Sequence, residues 1–158
     1  MNNRLLCSIT SSLLALFAGG SITILFILIP FWKTLAPAGV DDWFRNFGSS
    51  IGLTMMSLEL LPFLFSILTF ARVKGEGERQ RALWLGVNIL NLLVLLLFFV
   101  YFLPVNLSFI KDTIAPEAMP KELVRWQVIH AFRTLLAVLS AAFSIAACIQ
   151  PETQMENQ

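Results

Sequence analysis

Four long apolar runs, separated by short polar links, organise this chain of 158 residues. They cover about 9–32, 49–71, 82–103 and 122–149. Each is long enough to cross a hydrocarbon core about 30 Å thick as a helix of about 20 residues. The first link holds Pro37 and Gly39, the second Gly75 and Gly77 among charges, and the third Pro116 and Pro120. Pro30, with Trp32 and Lys33, is expected to end the first helix and Pro104 the third, because proline has no amide hydrogen to continue the ladder. Asp41 is a good N-cap for a helix leading into the second run. Pro120 suits the first turn of the fourth helix, and Glu122 its positive end. The pattern predicts an all-α integral membrane protein, a four-helix bundle running up-down-up-down. One domain covers 1–150, and 151–158 form a short polar tail. The opening, Arg4 and then an apolar stretch to Ala18-Gly19-Gly20, imitates a signal peptide. The apolar run continues from Ile22 to Phe31, so it is read as an uncleaved span.

Composition agrees with this pattern. Hydrophobic residues make up 57% of the chain and charged residues 13%, where a soluble domain has about a quarter charged. Mean hydropathy is +0.76. The lipid bilayer is therefore the first partner, and a net charge of +1 argues against nucleic acid as another. The second link carries four cations, Arg72, Lys74, Arg79 and Arg81, against two in the first link and three in the third. By the positive-inside rule that link and both termini face the cytoplasm, in a plasma membrane of the bacterial inner type. Trp32, Trp43, Trp84 and Trp126 each stand beside a span boundary and read as an aromatic belt. Gly19-Gly20-Ser21 marks a close helix contact, and Asn88 and Asn91 suit hydrogen bonds between helices. Cys7 and Cys148 form no CxxC, which removes zinc ribbons and thiol–disulfide chemistry, and they are expected as buried free thiols.

The reactive groups concentrate where the fourth run opens, at Arg125-Trp126-Gln127-Val128-Ile129-His130-Ala131-Phe132-Arg133-Thr134. Trp126, His130 and Arg133 stand at i, i+4 and i+7 and share one helix face. His130 is the only histidine in the chain. A cation inside a span faces protein or a water-filled cavity. At a rise of about 1.5 Å per residue, His130 and Tyr101 fall near the outer interface, Arg133 about a turn deeper, and Glu59 about one turn deeper still. Two readings stay open. Glu59 and Arg133 neutralise each other as a structural pair, or they join His130, Tyr101 and Asn106 around a cavity open toward the first and third links. Such a cavity suits a flat amphipathic molecule from the membrane. One histidine and one buried carboxylate fall short of the three ligands of a catalytic zinc site, so no metal is expected.

Val105-Asn106 after the third run, a long link, and then Arg125-Trp126-x-x-x-His130-x-x-Arg133 form a pattern that resembles a family of small four-helix membrane proteins. That family includes fungal anthrone oxygenases and many bacterial members. Gly19-Gly20 through Pro30 and the pair Trp43-Phe44 are also similar to it. The resemblance implies a site of Asn106, Trp126, His130 and Arg133, with Tyr101 and Glu59 added from the depth estimate. It implies cofactor-independent oxidation of an anthrone-like, or more broadly quinone-like, aromatic by dioxygen. His130 would act as general base and Arg133 would stabilise the oxyanion. The competing expectation is a non-catalytic assembly or accessory subunit held by the Glu59–Arg133 pair. A channel or transporter is weaker, because one four-helix chain would have to form a homo-oligomer to enclose a pore. A claudin-like adhesion protein is disfavoured, since the first link has no cysteines.

Overall fold

In the computed structural model, which describes residues 2–73 and 77–149, the first helix passes Pro30 and ends at Trp32 as expected, whereas the third does not stop at Pro104. A five-residue π-turn precedes each proline: Ile24–Leu28 before Pro30 and Phe98–Phe102 before Pro104. The widened turn shifts the hydrogen-bond ladder and makes room for a residue that cannot donate to it. Helix α1 therefore runs Asn3–Trp32 and α3 runs Glu78–Ile110, with α2 at Pro37–Arg72 and α4 at Met119–Cys148. All four outrun the expected spans at one end or both. The expected tail over 151–158, and Lys74, Gly75 and Glu76 of the second link, lie outside the described residues.

Two other ends depart from expectation. Asp41 is not an N-cap, since α2 already begins at Pro37 behind an extended Ala36, and Asp41 is buried within the helix. Proline at the first helical position needs no donor there, which sets the start earlier. The third link begins later than Val105, because α3 continues to a left-handed turn at Asp112, φ 53°. There the Asp112 amide donates to Phe109 O at 3.3 Å and the Thr113 amide to Ser108 O at 3.1 Å, a pairing that closes the last free carbonyls of a helix. Pro120 and Glu122 sit in the first turn of α4 as expected.

The described residues are all helix and connection, with no strand among them, and each of the four helices is long and apolar enough to cross a membrane. The pairs α1–α2, α2–α3, α3–α4 and α4–α1 pack side by side, so α2 and α4 face one another across the middle. The inward face of α4 is small: Ala137, Ser140, Ala141, Ser144 and Ala147 are all buried. Small side chains let helices approach closely and leave hydroxyls for cross-links. Ser140 donates to Asn91 Oδ1 at 3.0 Å, and Ser66 donates to Asn88 Oδ1 at 3.0 Å. Thr10 and Thr69 join α1 to α2 at 2.9 Å, and Gln80 Nε2 donates to Ala147 O at 3.2 Å near the end of α4. Of the two glycines in α1, only Gly20 sits at a helix contact. A Cβ there would lie 3.2 Å from Met55 Sδ, whereas at Gly19 it would meet nothing. Cys7 and Cys148 are not joined by a disulfide; the first is buried and the second half-buried.

The tryptophans correct the expected belt. Trp32, Trp84 and Trp126 are 2%, 0% and 4% exposed. A belt assumes that the end of an apolar run is the edge of the protein. Here α2 and α3 extend past that level and supply rings that cover Trp32. Phe44 stands 4.9 Å from it, centroid to centroid, and Phe109 lies 4.5 Å beyond Phe44. Outward, the surface is oily. In the most apolar eighteen residues of α1 to α4, only 33, 17, 22 and 44% are buried. Such helices present apolar side chains around most of their circumference, the mark of an apolar surrounding.

Candidate functional site

Arg133 is where all four helices meet. It projects from α4, donates through Nη2 to Glu59 Oε2 of α2, and lies over the rings of Phe17 from α1 and Phe98 and Phe102 from α3. The ring centroids are 5.3, 5.8 and 4.9 Å from its guanidinium carbon. Both side chains are at least nine-tenths buried. A buried cation needs an opposite charge and benefits from ring faces, and this one has both. The long arginine side chain spans the diagonal between α4 and α2, which are not packed neighbours.

One turn toward the N-terminus of α4, His130 has no exposed surface. The depth estimate puts it near the outer interface, but Ser21 of α1 and Phe102 of α3 pack on it. Its Nε2 lies 3.0 Å from the carbonyl of Ser21. A carbonyl only accepts, so Nε2 carries the proton and donates. Nδ1 is then the nitrogen with a lone pair to offer. The ring stacks on Trp126 at 4.8 Å and 24° and meets the edge of Phe102 at 5.8 Å and 85°. Trp126 is held in turn by donating its Nε1–H to Asn106 Oδ1 at 3.0 Å. Trp126→Phe removes that donor and strands the Asn106 oxygen. The expected cost is about 1 kcal/mol of stability, read by thermal unfolding in detergent.

His130, Arg133, Trp126 and Asn106 line one small chamber of about 40 Å³, together with Trp32 and Phe102. Three nitrogens of these residues find no hydrogen-bond partner among the described residues: His130 Nδ1, Arg133 Nε and Trp32 Nε1. Unpaired buried polar atoms are uncommon, and each asks for a reason. One acceptor and two N–H donors, all three covered, thus belong to residues that line one space. Turned toward it, they could grip a molecule that gives up a proton while its oxygen takes hydrogen bonds.

Two residues expected at the site stand elsewhere. Tyr101 faces away from the chamber, donating to Glu122 Oε1 at 2.8 Å under the Arg125 guanidinium at 5.3 Å. The π-turn Phe98–Phe102 rotates it off the face that carries Phe98 and Phe102. Glu59 touches the chamber only through Arg133. The end toward the first and third links, where an opening is expected, is packed by Trp32, Phe44, Phe109 and Trp126. A larger cleft of about 410 Å³ lies instead on the side of the molecule, between α2 and α3. It shares Gly48, Gly52, Phe98 and Asn106 with the chamber.

Sequence reasoning missed Trp32, Ser21 and the two glycines. Trp32 looked like a boundary residue and Ser21 acts through its backbone, which carries no side-chain signal. Gly48 and Gly52, at i and i+4 on the same helix face, were the legible hint. Among the described residues, no three of His, Cys, Asp and Glu come together as a metal site. The sequence matches no family model, no curated protein and no solved structure.

Proposed function

We propose that the chain is an up-down-up-down four-helix bundle inserted in a membrane, and that its buried chamber, together with the cleft beside it, binds and oxidises a lipophilic aromatic of the anthrone or quinone kind without a cofactor. The density of Arg72, Lys74, Arg79 and Arg81 in the second link orients that link and both termini toward the cytoplasm of a bacterial inner membrane. The observation that carries the functional reading is the buried, unpaired His130 Nδ1, with Nε2 anchored on Ser21 O, in a site that also holds the unpaired N–H groups of Arg133 and Trp32. The similarity of Asn106, Trp126, His130 and Arg133 to the anthrone-oxygenase pattern adds to it.

In such a reaction Nδ1 takes one proton from the acidic ring methylene, leaving a carbanion delocalised onto the ring carbonyl oxygen. Arg133 Nε–H and Trp32 Nε1–H would hydrogen-bond that oxygen as its charge grows. Dioxygen then oxidises the anion. One of its atoms becomes the new carbonyl oxygen, and the other leaves as water with the two methylene hydrogens. Arg133 enters this scheme through Nε alone, because its Nη2 is committed to Glu59.

Native mass spectrometry of the protein in detergent with a hydroxyanthrone tests binding. The expected result is a one-to-one complex that His130→Gln weakens by about tenfold or more, the loss of roughly one well-placed hydrogen bond. A wild-type protein that takes up none of it would overturn the proposal. The buried Glu59–Arg133 pair favours the second reading, an accessory subunit whose pair only fixes packing. That reading requires identical, negligible uptake by wild type and variant.

A further inference from the structure

The chamber raises a problem of size. At about 40 Å³ it admits a carbonyl or hydroxyl group, whereas one water needs about 10–15 Å³ by a comparable measure. No fused ring system fits inside. The neighbouring cleft, at about 410 Å³, lies within the range of about 300–1,000 Å³ typical of ligand pockets. Its walls are apolar, with Met56, Phe99 and Leu103 among them, and Leu53 at its rim is 71% exposed. In a membrane that rim looks into hydrocarbon rather than water.

Gly48 and Gly52 stand between the two spaces and line both. They lie one helical turn apart on α2, and Gly52 leaves a notch in its wall. At Gly52 an added Cβ would meet nothing within 4 Å, while at Gly48 it would approach Ile110 and Phe44 at 3.3 Å. Open space thus adjoins Gly52, a lining residue of both chamber and cleft, while Ile110 and Phe44 fill the space at Gly48. Asn106 lies on the same boundary, with Oδ1 fixed by Trp126, so its NH2 group is the donor left for an entering oxygen.

We infer that the cleft between α2 and α3 is a lateral doorway and ring-binding subsite. A planar, membrane-dissolved aromatic ketone bearing an acidic proton enters from the lipid side. Its rings rest between Met56 and Phe99, and the edge that bears the acidic proton is directed past Gly52 toward His130 Nδ1. This rests on the proposed function for the chemistry at His130, but it makes a separate claim about the route. A ligand drawn from water would have to part the aromatic closure of Trp32, Phe44 and Trp126. One drawn from the bilayer meets an apolar cleft already formed.

The test uses the protein in lipid nanodiscs and a hydroxyanthrone kept from dioxygen as probe, with tryptophan quenching reporting arrival near the cluster of Trp32, Trp43 and Trp126. Gly52→Leu fills the notch and is compared with Gly19→Leu, which also places a leucine in open space on another helix. The expected result is an apparent Kd about tenfold or more weaker, or a correspondingly slower approach, for Gly52→Leu alone. Equal quenching of wild type and both variants overturns the doorway while leaving the His130 site standing. No quenching of wild type at all overturns both.

A second measurement does not depend on how Gly52→Leu folds. A diazirine-bearing hydroxyanthrone, photolysed on wild-type protein without dioxygen, is expected to mark Met56, Phe99 or Leu103. Adducts confined to Leu35 and Leu123, at the end where the first and third links meet, would overturn lateral entry.

Discussion

Arg133→Met is expected to lower the stability of the protein by about 3–5 kcal/mol, because it leaves the Glu59 carboxylate buried without its counter-charge. For a chain of this size that corresponds to a fall in Tm on the order of 10 °C. Glu59→Met should do comparable damage, stranding the guanidinium between Phe17, Phe98 and Phe102. The double variant carries the diagnostic information. A buried ion pair replaced by apolar side chains of similar volume commonly costs little, so the double variant should recover to within about 1 kcal/mol of wild type. The two residues share one contact, which predicts strong non-additivity in a double-mutant cycle. Additive losses would mean that each side chain is held by something other than its partner across the α2–α4 diagonal.

The second large effect concerns turnover. His130→Ala is expected to slow oxidation of a hydroxyanthrone by about 10²–10⁴-fold, the usual contribution of a positioned general base. Anthraquinone formation and dioxygen uptake, followed together in detergent, measure it. Loss of packing could mimic this result, so His130→Gln separates the two. An amide can still donate to Ser21 O and fill much of the ring's space, yet it offers no basic nitrogen at the Nδ1 position. Glutamine should restore the thermal stability and leave turnover low. If glutamine restored turnover as well, His130 would be a packing residue.

How much of this was legible in the sequence depends on the kind of signal. Helix number and order came from apolar runs, which are long and interrupted by charged or proline-containing links. Helix ends were misjudged at Pro104 and Asp41. A π-turn that accommodates a proline has no composition of its own, and Pro37 started α2 before Asp41 could cap it. The meeting of Glu59 with Arg133 was anticipated from depth along the helices, because in an apolar run opposite charges at similar depth have few other partners. Their diagonal geometry was not foreseen, since sequence spacing gives depth but not neighbours. The burial of Trp32, Trp84 and Trp126 was missed because a belt tryptophan and a core tryptophan near a helix end look alike in one dimension. The lateral cleft is open beside Gly52, which has no side chain, and such an absence acquires meaning only when α3 is seen opposite it.

The role of His130 can be read directly, because it is the only histidine in the chain. Protein freed of any polyhistidine tag and labelled with ¹⁵N in the imidazole ring gives one pair of nitrogen signals, with no assignment problem. The hydrogen bond to Ser21 O predicts a protonated Nε2 and a bare Nδ1. Adding a hydroxyanthrone without dioxygen should then move the Nδ1 signal, as the lone pair accepts a hydrogen bond or a proton, with little change at Nε2. A protonated Nδ1 with a bare Nε2, or an Nδ1 signal that saturating ligand leaves in place, would contradict a base at the centre of this site.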